Sequence, residues 1–179
     1  MKATGVIRRL DDLGRIVIPK EIRKLMRIRE GEPMEIFVNA EGDIILKKYS
    51  PIGDLSEFAM QYAEAISQNI GKVVCITDRD QIIAVAGGNR KELLKQPIGR
   101  ELELAMEQRS IIEGKQQNLF NGYLEAGEFK QEIVVPILSA GDVIGVVAVL
   151  GKDEKDWNGE VEKKLASTAA SFLGKQMEI

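Results

Sequence analysis

The break at Tyr49-Ser50-Pro51-Ile52-Gly53 constrains this chain more than any other feature. Pro51 has no backbone N–H and Gly53 is permissive, so together they interrupt both helix and strand. An alternating, strand-like stretch lies before the break and a helical pattern after it, which divides the chain into a head, residues 1–50, and a body, residues 51–179. The head is the harder part to fold. About twenty of its residues are apolar, and a segment so small leaves much of its apolar surface wet when it stands alone. Pairing with an identical copy would complete the sheet and remove its edges, so a homodimer through residues 1–50 is expected.

Within the head, Thr4 to Leu10 reads as a strand, Asp11-Asp12-Leu13-Gly14 as a turn, and Ile16-Val17-Ile18 as a short buried strand. Pro19 suits the first position of a helix, where its missing N–H has no partner to lose. Glu21 favours the positive end of that helix. Met34, Ile36 and Val38 alternate on a third strand and Ile44 and Leu46 on a fourth, with a turn over Asn39-Ala40-Glu41-Gly42-Asp43. At about 100° per residue, Ile22, Leu25 and Met26 share one helix face, and Lys20, Arg23, Lys24 and Arg27 fan across the other. Arg15 stands at the turn, and Arg8 and Arg9 at the end of the first strand. The last two point to opposite faces, so only one of them can share the patch fully.

The charge is unevenly placed. Residues 1–50 carry 11 Lys and Arg against 8 Asp and Glu, a balance of +3, and the rest carry 14 against 20, or −6. Guanidinium groups bind phosphate in pairs of hydrogen bonds and read guanine edges, so the basic set fits double-stranded DNA. A solvated helix face is the plain alternative, and charge alone leaves it open.

The residue inventory argues against catalysis. The chain has no histidine and one cysteine, Cys75. His-based triads, His-containing zinc sites and an internal disulfide framework are thereby excluded, and no metal site or cofactor is expected. Cys75 sits in an apolar strand and reads as core. Asp11 and Asp12, like Glu101 and Glu103, read as turn and surface residues. Gly87-Gly88-Asn89 lacks the flanking pattern of a phosphate loop and reads as a turn. No apolar run nears the ~18 residues of a membrane span and no signal peptide opens the chain, so a cytoplasmic protein is expected.

In the body, Leu55, Phe58, Ala59, Tyr62, Ala63, Ile66 and Ile70 repeat at helical spacing up to Gly71. Val161, Leu165, Thr168/Ala169, Phe172, Leu173 and Gln176/Met177 do the same on a helix from about Trp157 to the end. These helices are expected to cover a sheet and also to pair, with each other or with a second subunit, which favours a tetramer. Two hairpins lie between them, Val73–Thr77 with Ile82–Val85 and Ile133–Ile137 with Val143–Leu150. Gly99 to Arg109 reads as a helix with Leu102, Ala105 and Met106 inward. Ser110 to Lys130 shows no period and reads as a loop or pocket wall. The body is therefore an α+β layer.

The strings Met1-Lys2-Ala3-Thr4-Gly5-Val6-Ile7-Arg8-Arg9, Asp12-Leu13-Gly14-Arg15-Ile16-Val17-Ile18-Pro19, Glu21-Ile22-Arg23-Lys24 and Ile44-Ile45-Leu46-Lys47-Lys48-Tyr49 closely resemble the AbrB family of bacterial transition-state regulators. That resemblance implies an all-β swapped-hairpin barrel, dimeric, that binds DNA through Arg8, Arg15 and Arg23, with Lys24 where the family often has a second arginine. Lys24 keeps the charge and loses the fork. Arg9 joins the candidate DNA-binding set from its place beside Arg8. The hairpin Pro136-Ile137…Gly141-Asp142-Val143-Ile144-Gly145-Val146 makes the body similar to a GAF domain, a sensory fold, and implies a small-molecule effector whose identity and binding residues are unknown. An Asn-Lys pair followed by Phe-Asp-Glu, the cyclic-nucleotide signature of some such domains, is absent. Head and body together resemble a family of sporulation regulators, which implies repression and activation of genes late in sporulation, in the forespore. The alternative is an antitoxin of a toxin–antitoxin pair that uses the same barrel.

Overall fold

One short helix and one hairpin make up the regular structure of the head in the computed structural model, which describes residues 4–54, 56–114 and 129–178. The chain divides into two compact units, Met1–Tyr49 and Ser50–Ile179. In the first, Pro19 (φ −58°, ψ 148°) is the cap before the helix rather than its first residue, and its carbonyl accepts the Arg23 N–H at 2.9 Å to open α1 (Lys20–Leu25). The helix closes early. Arg27 takes the left-handed conformation at φ 51°, and the Ile28 N–H donates to the Arg23 carbonyl at 2.7 Å. Arg27, expected on the cationic face, therefore lies beyond the helix in its C-terminal cap.

Strands β1 (Met34–Val38) and β2 (Ile44–Lys48) form an antiparallel hairpin with Ile36 opposite Leu46 and Val38 opposite Ile44. Asn39 closes its turn, its side-chain oxygen accepting the Glu41 and Asp43 N–H groups at 3.1 and 2.8 Å. The two earlier strands expected at 4–10 and 16–18 are not strands within one chain. A strand is defined by its ladder, and β1 and β2 already take each other as partners. The apolar faces expected to point inward also stay open. Val38 is 71% exposed, Ile44 72% and Leu25 79%, and α1 buries no residue.

The second unit begins with α2 (Pro51–Asp54) and α3 (Ser56–Ile70), continues through β3 (Val73–Thr77), β4 (Ile82–Ala86), α4 (Arg90–Leu93), α5 (Arg100–Gln108) and β5 (Ile112–Gly114), and closes with β6 (Gln131–Ser139), β7 (Asp142–Gly151) and α6 (Glu160–Gln176). The five strands form one antiparallel sheet in the order β4-β3-β7-β6-β5. Strands β3, β6 and β7 are apolar almost throughout because both sheet faces are covered. On one face Val74, Ile76, Ile133, Val147 and Val149 pack with α3 and α6. On the other, Cys75, Val134, Val146 and Ala148 meet Leu93, Leu102 and Met106 from α4 and α5.

The helices α3 and α6 also touch, Tyr62 against Phe172 with ring centroids 4.8 Å apart. Residue 55 and residues 115–128, the latter most of the aperiodic stretch, lie outside the described residues. A short strand, β5, occupies the start of that stretch, too brief to show a period. Burial pushes the Cys75 thiol up from an ordinary 9.0 to about 12, so it remains a neutral core group. Among the described residues no group of three His, Cys, Asp or Glu could hold a metal, and no helix is long and apolar enough to cross a membrane.

Helix α6 approaches the sheet through Ala166, Ala169, Ala170 and Gly174, all buried. A Cβ on Gly174 would collide with the Leu138 carbonyl oxygen, and one on Gly145 with that of Thr77, where main-chain atoms cannot yield. Gly174→Ala and Gly145→Ala should each cost about 1–3 kcal/mol in urea denaturation, whereas Ser171→Ala on the exposed side of α6 should stay within ~0.5 kcal/mol.

Candidate nucleic-acid interface

The turn that carries Arg15 is built around Asp11. The Asp11 Oδ1 accepts the N–H of Leu13 at 3.0 Å and of Arg15 at 2.7 Å, and Oδ2 accepts Arg15 Nε–H at 2.8 Å. Main-chain bonds close the same turn, from Asp11 N–H to the Arg15 carbonyl at 3.0 Å and from Gly14 N–H to the Asp11 carbonyl at 3.1 Å. Gly14 sits at φ +74°, a conformation that a side chain would strain. The Arg15 N–H first, and its guanidinium second, hold the Asp11 carboxyl below its ordinary 3.8. Sequence reading had no more than a turn residue at Asp11. The available signal was the spacing of an Asx residue four positions before an arginine across a glycine.

The other candidates lie on neighbouring segments of the same unit. Arg8 and Arg9 are exposed on the stretch that leads into the turn. Arg23 and Lys24 stand side by side in the last turn of α1, Lys24 exposed and Arg23 half-buried. The Arg23 Nε is shut away from solvent without a hydrogen-bond partner among the described residues. A buried guanidinium N–H left in that state is costly, so the chain holds an unmet donor here. Glu21 lies beside them at the start of the helix, and Glu32 pairs instead with Lys48 at 3.6 Å.

The body also holds a cleft of about 590 Å³ beside edge strand β4, lined among others by Met60 of α3, Arg90 and Lys95. Asp78, itself buried, lines it. Its Oδ1 accepts the Asp80 and Gln81 N–H groups at 2.8 and 2.7 Å, and its Oδ2 accepts the Ser50 hydroxyl at 3.1 Å.

Comparison with known proteins assigns both units. Residues 54–178 match the family described as stage V sporulation protein T C-terminal, transcription factor. Residues 7–54 match the family described as antidote-toxin recognition MazE, bacterial antitoxin. Stage V sporulation protein T of Bacillus subtilis (strain 168) is 50% identical over 181 residues, which span 99% of this chain and 99% of that protein. Transition state regulatory protein AbrB of the same organism is 53% identical over 51 residues, 28% of this chain and 52% of that one. The crystal structure of the GAF domain from an Acinetobacter phosphoenolpyruvate-protein phosphotransferase superposes with a TM-score of 0.55 at 16% identity, over 69% of this chain and 81% of that one. The head is AbrB-like and the body has the GAF-like α+β fold.

Proposed function

We infer function from one premise: this chain belongs to the stage V sporulation protein T family of transcription factors, and not to a family of enzymes. We propose that the head binds double-stranded DNA and that Arg8, Arg15, Arg23 and Lys24 face the duplex, with Arg9 at the margin. The observation that carries this is the state of those cations. Among the described residues Arg8, Arg9 and Lys24 have no ion-pair partner, and Arg23 keeps an unmet Nε–H. Phosphate oxygens would pair with the exposed Arg8, Arg9 and Lys24. Arg15→Ala or Arg23→Ala should weaken operator binding by about 1–3 kcal/mol where the side chain reads a base. A residue that meets only phosphate should instead lower the salt slope by about one. Fluorescence anisotropy at several salt concentrations measures both, and unchanged affinity removes that residue from the interface.

The exposed apolar faces of the head support a two-fold dimer, whose symmetry matches that of duplex DNA. In this reading residues 4–10 and 16–18 become strands by pairing across the dimer and close the swapped-hairpin barrel. The outer ridge of α3 and α6, where Phe58 is 47% and Val161 44% exposed, joins two dimers into a tetramer. Ile44→Asp should then reduce the sedimenting species from tetramer to dimer and abolish operator binding. An unchanged mass would refute assembly through the head.

The regulator acts in the cytoplasm of the forespore as repressor and activator of late sporulation genes. An antitoxin would use the same head, but the match of the body to a transcription-factor family supports the regulatory role. The cleft at Asp78, Arg90 and Lys95 is the place in the body for a small effector with both a donor and an anionic group. Calorimetric titration of the full chain with a metabolite panel should give heat that Arg90→Ala abolishes. Heat that survives the substitution puts the effector elsewhere.

A further inference from the structure

We propose that Asp11 is a positioning residue for DNA recognition, its carboxylate clamping Arg15 at both the main chain and Nε so that the two terminal guanidinium nitrogens form a preset fork for the duplex. This rests on the reading of Arg15 as an interface residue. One carboxylate divides its oxygens between the two ends of the same arginine, Oδ1 on the backbone N–H at 2.7 Å and Oδ2 on Nε at 2.8 Å. The pair is exposed, 69% for the arginine side chain and 37% for the aspartate. In water such a pair adds little to folding, so stability does not account for the arrangement.

Its geometric effect is larger. Arginine is a long side chain that gives up much rotamer freedom when it binds, and the clamp removes part of that freedom beforehand. Pairing through Nε leaves the edge of Nη1 and Nη2 open. That edge presents two parallel donors, the complement of two phosphate oxygens or of guanine O6 and N7. Pairing through the terminal nitrogens would have consumed it. The donors from Arg15 hold the Asp11 carboxyl below 3.8, so the clamp stays ionised across the pH range in which DNA binding is measured.

Charge alone predicts the opposite role. A carboxylate next to a polyanion repels it, so a surface built only for attraction improves when Asp11 is neutralised. The two accounts differ in sign, which makes Asp11→Asn informative. Its amide oxygen still accepts the Leu13 and Arg15 N–H groups and keeps the turn, while the anionic partner of Nε is lost. Asp11→Ser is the second variant, retaining a short acceptor for the backbone with no reach to Nε.

Full-length protein is titrated against two duplexes, one carrying a site recovered by in vitro selection with the unsubstituted chain and one of random sequence. Both variants should bind the selected site about 10-fold more weakly and the random duplex as well as before or better, so the specificity ratio falls. Arg15→Ala combined with Asp11→Asn should bind no more weakly than Arg15→Ala alone, because the clamp acts only through the arginine. Selected-site affinity that is unchanged or higher in Asp11→Asn and Asp11→Ser overturns the proposal, and so do losses that simply add. An Arg15→Ala variant that binds normally overturns the underlying interface reading, a failure distinct from that of the clamp.

Discussion

A single chain cannot bury the apolar face of its own head, and that constraint organises the molecule. The hairpin presents Ile36, Val38, Ile44 and Leu46 on one side, and the first three stay 66%, 71% and 72% exposed. Leu25 of short α1 and Met26 just after it add to the same open inventory. A soluble protein seldom leaves such surface in water unless a partner covers it. Exposure of this kind is what the proposed pairing of two heads would remove. In the proposed dimer, the surface that reads DNA and the surface that joins two copies depend on the same few strands.

The body solves the opposite problem. Its sheet is sandwiched between two apolar clusters, and the fit depends on small residues as much as on large ones. Alanines and Gly174 bring α6 down onto β6, and Gly145 allows the main chain of β7 to pass close to Thr77. At the start of α6 the buried Glu162 reaches back to accept the Gly159 N–H at 2.7 Å, and so satisfies one of the donors that every helix start leaves open. A charged residue enters the interior here because it has backbone work to do there.

Much of this was legible beforehand. The division near residue 50, the two hairpins of the body and the inward side of α5 all follow from periods and turn residues, since each element has several residues in its own pattern. The expected Leu102, Ala105 and Met106 are the three residues that α5 buries. The misses have physical causes. The segments 4–10 and 16–18 have no ladder partner among the described residues of one chain, where β1 and β2 pair only with each other. Helix α6 starts at Glu160 rather than near Trp157, because Gly159 at φ 79° supplies the start. On α6 the expected Ala169 and Leu173 are buried, but the rest of the buried stripe is Glu162, Ala166, Ala170 and Gly174, while Val161 stays 44% exposed. In the proposed interface the cations announce themselves by charge, whereas Asp11 enters through three hydrogen bonds that composition does not register.

The depth at which Cys75 is set has a consequence for control. Histidine and an activated thiolate are the side chains that ordinarily sense protons near neutrality, and the chain has none of the first and holds its one thiol near 12. Neither of those two side chains gives this chain a proton switch near neutrality. DNA binding by a protein of this kind then answers to concentration and ionic strength, which act by mass action and screening rather than by titration.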